Sequence, residues 1–280
     1  MSTKSVVRVI IPILVFYLMT LIVEVAAGAG WAFRHAAEYI SGEALDTNRL
    51  TEDILAFSFR YAMLMQLVAT ILSSFILVPM FISDFMKRTF DYVRKYPPIM
   101  MVLLVPAGAL AAISGNLLMN LTDWTEISQS FEQAQEALFS GPLIFQVLGI
   151  GLIIPIGEEL VFRGLVYMRI RQVIPVYTAM ALSALIFSLL HGNPVQGMYA
   201  FVLGILLAYV YETFGTLFAP IIVHLSANVA ALSLGLVFPY IDSVMVMLAA
   251  GLLLLVPLAG LILLIDKKVV TQIQPRTIDS

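Results

Sequence analysis

No cysteine occurs among the 280 residues of this chain. That excludes a thiol nucleophile, a disulfide framework and any cysteine-ligated metal, so chemistry must use oxygen and imidazole. Charge is scarce as well: Lys, Arg, Asp and Glu supply 12% of the residues, where soluble domains carry about 25%. A net charge of -3 is too small to attract nucleic acid. Strand-like alternation, internal repeats and low-complexity tracts are missing too. What fills the chain instead is apolar side chains, 61% of it, the composition of an integral membrane protein.

Apolar runs of about 17 to 25 residues cross a bilayer. They fall at 6 to 27, 58 to 82, 99 to 119, 143 to 172, 175 to 192, 195 to 213, 215 to 237 and 243 to 265. This predicts an all-α, polytopic fold of about eight transmembrane helices in one domain, multi-pass in the cell membrane. Basic residues cluster on one side: Lys4 and Arg8, then Lys87, Arg88, Arg94 and Lys95, then Arg169 and Arg171, then Lys267, Lys268 and Arg276. Positive loops stay cytoplasmic, which predicts both termini inside the cell; an even number of spans requires the same. Lys4 and Arg8 ahead of an apolar run, with Ala27-Gly28-Ala29 beyond it, also fit a cleaved signal segment, although the run is long for one. In the second outer loop, Trp124, Ile127, Phe131 and Leu138 share a helical face. The spacing predicts an amphipathic helix on the membrane surface, in preference to a substrate-gating lid.

Against this apolar background the stretch "IPIGEELVFRGLVYM", residues 154 to 168, holds three charges. Charges in a bilayer normally face a protein-lined or watery cavity where they find partners. Glu159 and Arg163 stand four apart, the favourable order for an ion pair on a helix. Glu158 points about 100 degrees away and needs a partner from another element. Two of the three histidines, His191 and His224, sit on otherwise nearly neutral apolar segments. If helices four and five form a hairpin with its tip near Ile174 and Pro175, Glu158 and His191 each lie roughly 24 Å from that tip. They then face each other at equal depth. His224 and Asn228 share one side of helix seven, and Gly192, Asn193 and Pro194 break helix five just past His191. Each feature also has a plainer reading: a membrane histidine as a helix-to-helix hydrogen-bond donor, and Glu159 with Arg163 as a structural lock.

Three motifs sit in this order on separate predicted helices: Glu-Glu-x-x-x-Arg in "EELVFR", Phe-x-x-x-His in "FSLLH" (Phe187 and His191) and His-x-x-x-Asn in "HLSAN". Together they resemble the CPBP family of intramembrane proteases, the CAAX prenyl endopeptidase and bacteriocin-processing group. The resemblance covers about 141 to 236 and divides the chain into residues 1–140, helices one to three with the outer amphipathic helix; 141–240, a core of helices four to seven; and 241–280, the last helix and a cytoplasmic tail. It implies that Glu158 activates a water, that Glu159 and Arg163 support it, that His191 shares the water, and that His224 and Asn228 complete the site, with Phe187 in structural support.

Peptide hydrolysis needs a general base and a stabilised oxyanion. The implied roles supply both, on a membrane-associated peptide or protein substrate in the lipid bilayer. Two mechanisms stay open. Glu158, His191 and His224 form an ordinary set for one zinc ion with an open water position. The chain nonetheless lacks a His-Glu-x-x-His pair, and a glutamate-activated water needs no cofactor. Two other functions also fit intramembrane Glu and His residues: a non-catalytic membrane partner or immunity protein, and a proton-coupled transporter.

Overall fold

The apolar runs fold as the spacing predicts, into eight helices that a computed structural model describes over residues 3–41, 44–88, 90–119, 139, 141–234 and 243–275. They are α1 (Thr3–His35), α2 (Thr47–Lys87), α3 (Ile99–Met119), α4 (Leu143–Arg171), α5 (Val176–Leu189), α6 (Pro194–Phe214), α7 (Phe218–Leu234) and α8 (Val244–Lys268). Six are long and apolar enough to cross a membrane; α5 and α7 are shorter, about 21 and 26 Å at 1.5 Å per residue. The chain is a multi-pass membrane protein. The surface helix expected around Trp124 to Leu138 lies outside the described residues.

α2 begins where Asp46 accepts a hydrogen bond from the Arg49 amide at 3.1 Å, a side-chain cap for an otherwise unpaired donor. It runs for 41 residues, about 60 Å. That exceeds the roughly 30 Å hydrocarbon thickness, so its ends extend beyond the span read from hydropathy. Two short antiparallel ladders depart from the strand-free expectation. β1 (Ile40–Ser41) pairs with β2 (Ala44–Leu45). β3 (Phe90–Lys95) pairs with β4 (Val270–Pro275), from Phe90 opposite Pro275 to Lys95 opposite Val270. This second ladder joins the segment after α2 to the segment after α8. Six residues in each strand, far apart in sequence, leave too little alternation to read beforehand.

α4 is the hub, touching α1, α2, α5, α6 and α7. It is not a uniform α-helix. Gly149–Ile153 and Leu160–Tyr167 wind as wider π-helix, a geometry usually confined to single turns and frequent at functional sites. All eight residues of the second stretch are buried. Around them lies one apolar core, with Phe16 of α1, Leu77 of α2, Phe187 of α5, and Ala200 and Ala208 of α6. A second core joins α3, α7 and α8 to Leu203, Leu207, Val210 and Phe214 of α6. α6 is therefore the wall between the two, and its two faces serve different partners.

At one end of the bundle the helices are tied by charge. Arg8 of α1 pairs with Asp84 of α2 at 3.1 Å; Arg169 of α4 pairs with the same Asp84 and donates to the Arg8 carbonyl. Nearby, Glu212 of α6 accepts hydrogen bonds from Tyr167 at 2.6 Å, Tyr92 at 2.8 Å and Arg171 at 3.0 Å.

Candidate active site

Glu159 and Arg163 pair at 2.7 Å, and both side chains are fully buried. Arg163 donates a second bond to the Gly204 carbonyl of α6 at 3.1 Å and lays its guanidinium over the Phe187 ring, 4.7 Å from its centroid. Gly204 permits this approach, because a side-chain carbon there would meet Ala184 at 3.0 Å and Arg163 itself at 3.4 Å. Phe187 then stands edge-on to three rings: Phe162 at 4.8 Å, His191 at 4.7 Å and His224 at 6.1 Å. It touches both histidines and covers the arginine, so its motif position has a physical cause.

His224 of α7 completes the charged cluster. Its Nδ1 lies 2.7 Å from the same Glu159 oxygen that accepts from Arg163, and its Nε2 lies 3.7 Å from Glu158. A carboxylate paired with arginine accepts, so the imidazole donates through Nδ1 and presents Nε2 to Glu158. The expected direct partner of Glu158 was His191; the imidazole within ion-pair distance is that of His224. Glu158 itself keeps 20% of its side chain exposed while Glu159 keeps none. The two adjacent carboxylates thus differ: one is enclosed and paired, the other open. One buried oxygen of Glu159, Oε2, and the Nε of Arg163 have no hydrogen-bond partner among the described residues.

His191 does not lie on a helix. α5 ends at Leu189, Gly192 turns back with φ of 77°, and Asn193 caps α6 by accepting from the Gln196 amide at 2.8 Å, with Pro194 at the first helical position. His191 occupies the intervening turn. Its Nδ1 is 2.8 Å from the Phe187 carbonyl. A carbonyl can only accept, so Nδ1 carries the proton and Nε2 is the free acceptor. Beside this turn opens a cavity of about 460 Å³ lined by Ser188, Gly192, Asn193, Gly197, Met198 and Phe201, among others.

Asn228, one turn beyond His224, donates to the Ile150 carbonyl at 2.8 Å. That carbonyl belongs to the first π stretch, so the widened helix and the motif asparagine are joined directly. The amide retains a second N–H.

Glu158, His191 and His224 are the possible ligands in the zinc alternative. No group of three or more His, Asp or Glu side chains able to hold a metal ion occurs among the described residues. With Glu158 drawn toward His224 and His191 apart on its turn, the donors do not fit a zinc site as placed.

Sequence reasoning missed the contribution of α1 and α2. Gly157 lacks a side chain where Thr70 of α2 would collide with one and Phe16 of α1 approaches to 3.4 Å. Both helices back the residue immediately before the glutamate pair. Tyr17 of α1 donates to the Leu190 carbonyl at 3.2 Å. A hydroxyl at mid-helix in an apolar run was the available signal.

No curated protein and no solved structure matches the chain. One family model does, over residues 140–230, and its description is type II CAAX prenyl endopeptidase Rce1-like. Those residues span all three motifs and every side chain of the Glu158, Glu159, Arg163, Phe187, His191, His224 and Asn228 cluster. Over residues 140–230, therefore, the chain is similar to the CPBP-type family of membrane-embedded proteases.

Proposed function

We propose that this protein is an intramembrane endopeptidase that cleaves a prenylated CAAX-type tail by means of a glutamate-activated water. The observation that carries the reading is the division of labour between adjacent glutamates: Glu159 is fully enclosed by Arg163 and His224, while Glu158 is the partly open one. An open carboxylate with the Nε2 of His224 at 3.7 Å can hold and deprotonate a water.

In this reading Glu158 takes a proton from the water, and the oxygen attacks the scissile carbonyl. His191, held through Nδ1 by the Phe187 carbonyl, uses Nε2 to accept from the same water. His224 is fixed in orientation by Glu159. With a proton on Nε2 it donates to the developing oxyanion, aided by the remaining N–H of Asn228. Glu158 then returns its proton to the leaving amine. The catalytic residues are Glu158, Glu159, His191, His224 and Asn228, supported by Arg163 and Phe187, within a core of residues 141–240 and with both termini cytoplasmic.

The test uses purified protein in liposomes and an internally quenched farnesylated peptide ending in a CAAX sequence, with its unprenylated twin as control. Cleavage of the farnesylated peptide alone, lost in Glu158→Gln, supports the reading; equal cleavage by Glu158→Gln overturns it. Exhaustive treatment with a membrane-permeant chelator separates the two mechanisms. Full activity after chelation is expected. Stoichiometric zinc, lost together with activity in both His191→Ala and His224→Ala, would reverse that choice.

A further inference from the structure

We propose that Tyr17 of α1 is a positioning residue of the active site, holding the turn that carries His191. This rests on the proteolytic reading above and extends the site to a helix outside residues 140–230.

The argument begins with how α1 is held. Phe16 is 2% exposed and packs over Gly157, whose missing side chain makes room for it and for Thr70. At its other end α1 is tied to α4 and α2 through Arg8, Asp84 and Arg169. Helix one is thereby fixed at two levels, and Tyr17 follows directly after the buried Phe16. Tyr17 stands edge-on to Phe16 at 5.6 Å, which restricts its ring. Its hydroxyl gives its single proton to the Leu190 carbonyl.

Leu190 follows the last residue of α5 and precedes His191. The turn there is short and depends on the left-handed Gly192. His191 is held from one side by the Phe187 carbonyl and ring. Tyr17 supplies the hold from the other side, on the backbone. The hydroxyl thus ties α1 to the turn whose placement decides where the His191 imidazole stands. Displacements of about 1 Å in such an arrangement cost large factors in rate.

Tyr17→Phe keeps the ring and removes only the hydroxyl. In the farnesyl-peptide assay kcat should fall about 3- to 10-fold, the size of one lost hydrogen bond, with KM within about twofold and thermal unfolding unchanged. Thr20→Val is the control, since the Thr20 hydroxyl bonds only its own helix at the Phe16 carbonyl; it should behave as wild type. Positioning through His191 also predicts non-additivity: in a His191→Ala background, Tyr17→Phe should cause no further loss.

Wild-type kcat in Tyr17→Phe, with Glu158→Gln inactive, overturns the role of Tyr17 and leaves the protease reading standing. Cleavage by Glu158→Gln removes that reading itself. A Tyr17→Phe loss that follows a lowered unfolding temperature, or that adds fully to His191→Ala, shows a packing role and overturns the proposal. Should His191→Ala have no measurable rate, the kcat-against-KM split at unchanged unfolding temperature decides. An active mature protein whose intact mass lacks α1 overturns it as well.

Discussion

Two carboxylate clusters lie along α4, and they are built to opposite ends. Around Glu212, two tyrosines and one arginine donate to a single carboxylate, and both its oxygens are used. Around Glu158 and Glu159, the enclosed carboxylate leaves Oε2 unpaired, Arg163 leaves Nε unpaired, and the neighbouring carboxylate is partly open. A buried network pays for itself in stability when each member is satisfied. Incomplete satisfaction leaves the second cluster with hydrogen-bonding capacity unused among the described residues. The comparison separates a clamp at the end of the bundle from a site within it, although both consist of the same residue types.

The sharpest way to break that comparison is to neutralise one carboxylate in each cluster. Glu158→Gln is expected to reduce cleavage by about 100- to 10,000-fold, the usual cost of losing a general base, while leaving thermal unfolding unchanged. Glu212→Gln should do the reverse. It removes the charge opposite Arg171, lowering stability by about 1 to 3 kcal/mol, and the folded fraction should cleave the farnesyl peptide at the wild-type rate. Paired measurements of unfolding temperature and kcat check both. If Glu212→Gln loses activity at full stability, the clamp takes part in catalysis and the distinction fails.

Arg163 tests the support of the site. Arg163→Ala leaves Glu159 buried without its cation, and such a loss costs about 3 to 5 kcal/mol. Adding Glu159→Gln should restore part of it, because the uncompensated charge is then gone. Detergent denaturation of the two single variants and the double variant measures the coupling; strict additivity would show that the pair is not energetically linked.

The Glu159–Arg163 pair was legible beforehand for a simple reason: both partners lie on one helix, and a spacing of four places them together. The eight apolar runs were legible because bilayer thickness sets their length. What escaped depends on contacts between helices. No local pattern reveals that His224 rather than His191 lies within 4 Å of Glu158, or that α5 stops at Leu189. The π-helical widening of α4 also lacks a spacing signal, since its residues read as an ordinary apolar helix. In the sequence Glu212 is an isolated acidic residue in a nearly neutral stretch; its partners Tyr92 and Tyr167 come from β3 and α4. The helices reported themselves through composition, whereas the site required their arrangement.

Gly157→Ala sharpens the comparison at smaller scale. The new carbon meets Thr70 and crowds Phe16, an overpacking of about 1 to 3 kcal/mol. Because Glu158 follows directly, kcat should fall along with stability. Thr70→Ala removes the colliding methyl, and the double variant should recover both quantities. Recovery of stability without activity would show that Glu158 depends on Thr70 for more than room.

Tyr92 gives the smallest effect and tests the clamp alone. It is 7% exposed, and its hydroxyl donates to Glu212. Burial, and then the negative charge of Glu212, push the phenol well above its ordinary value of 10.0, so it remains a donor in the folded protein. The unfolded chain releases this proton near pH 10 while the folded chain retains it. Stability from this group is therefore complete below pH 10 and declines as pH rises further. Tyr92→Phe removes one hydrogen bond, costing about 1 kcal/mol at neutral pH, and should also make the alkaline loss of stability shallower than in wild type. Denaturation curves collected at neutral and alkaline pH measure both changes. An unaltered alkaline slope would mean that Tyr92 is not a protonated donor to Glu212, and the satisfied cluster would be left with one member fewer.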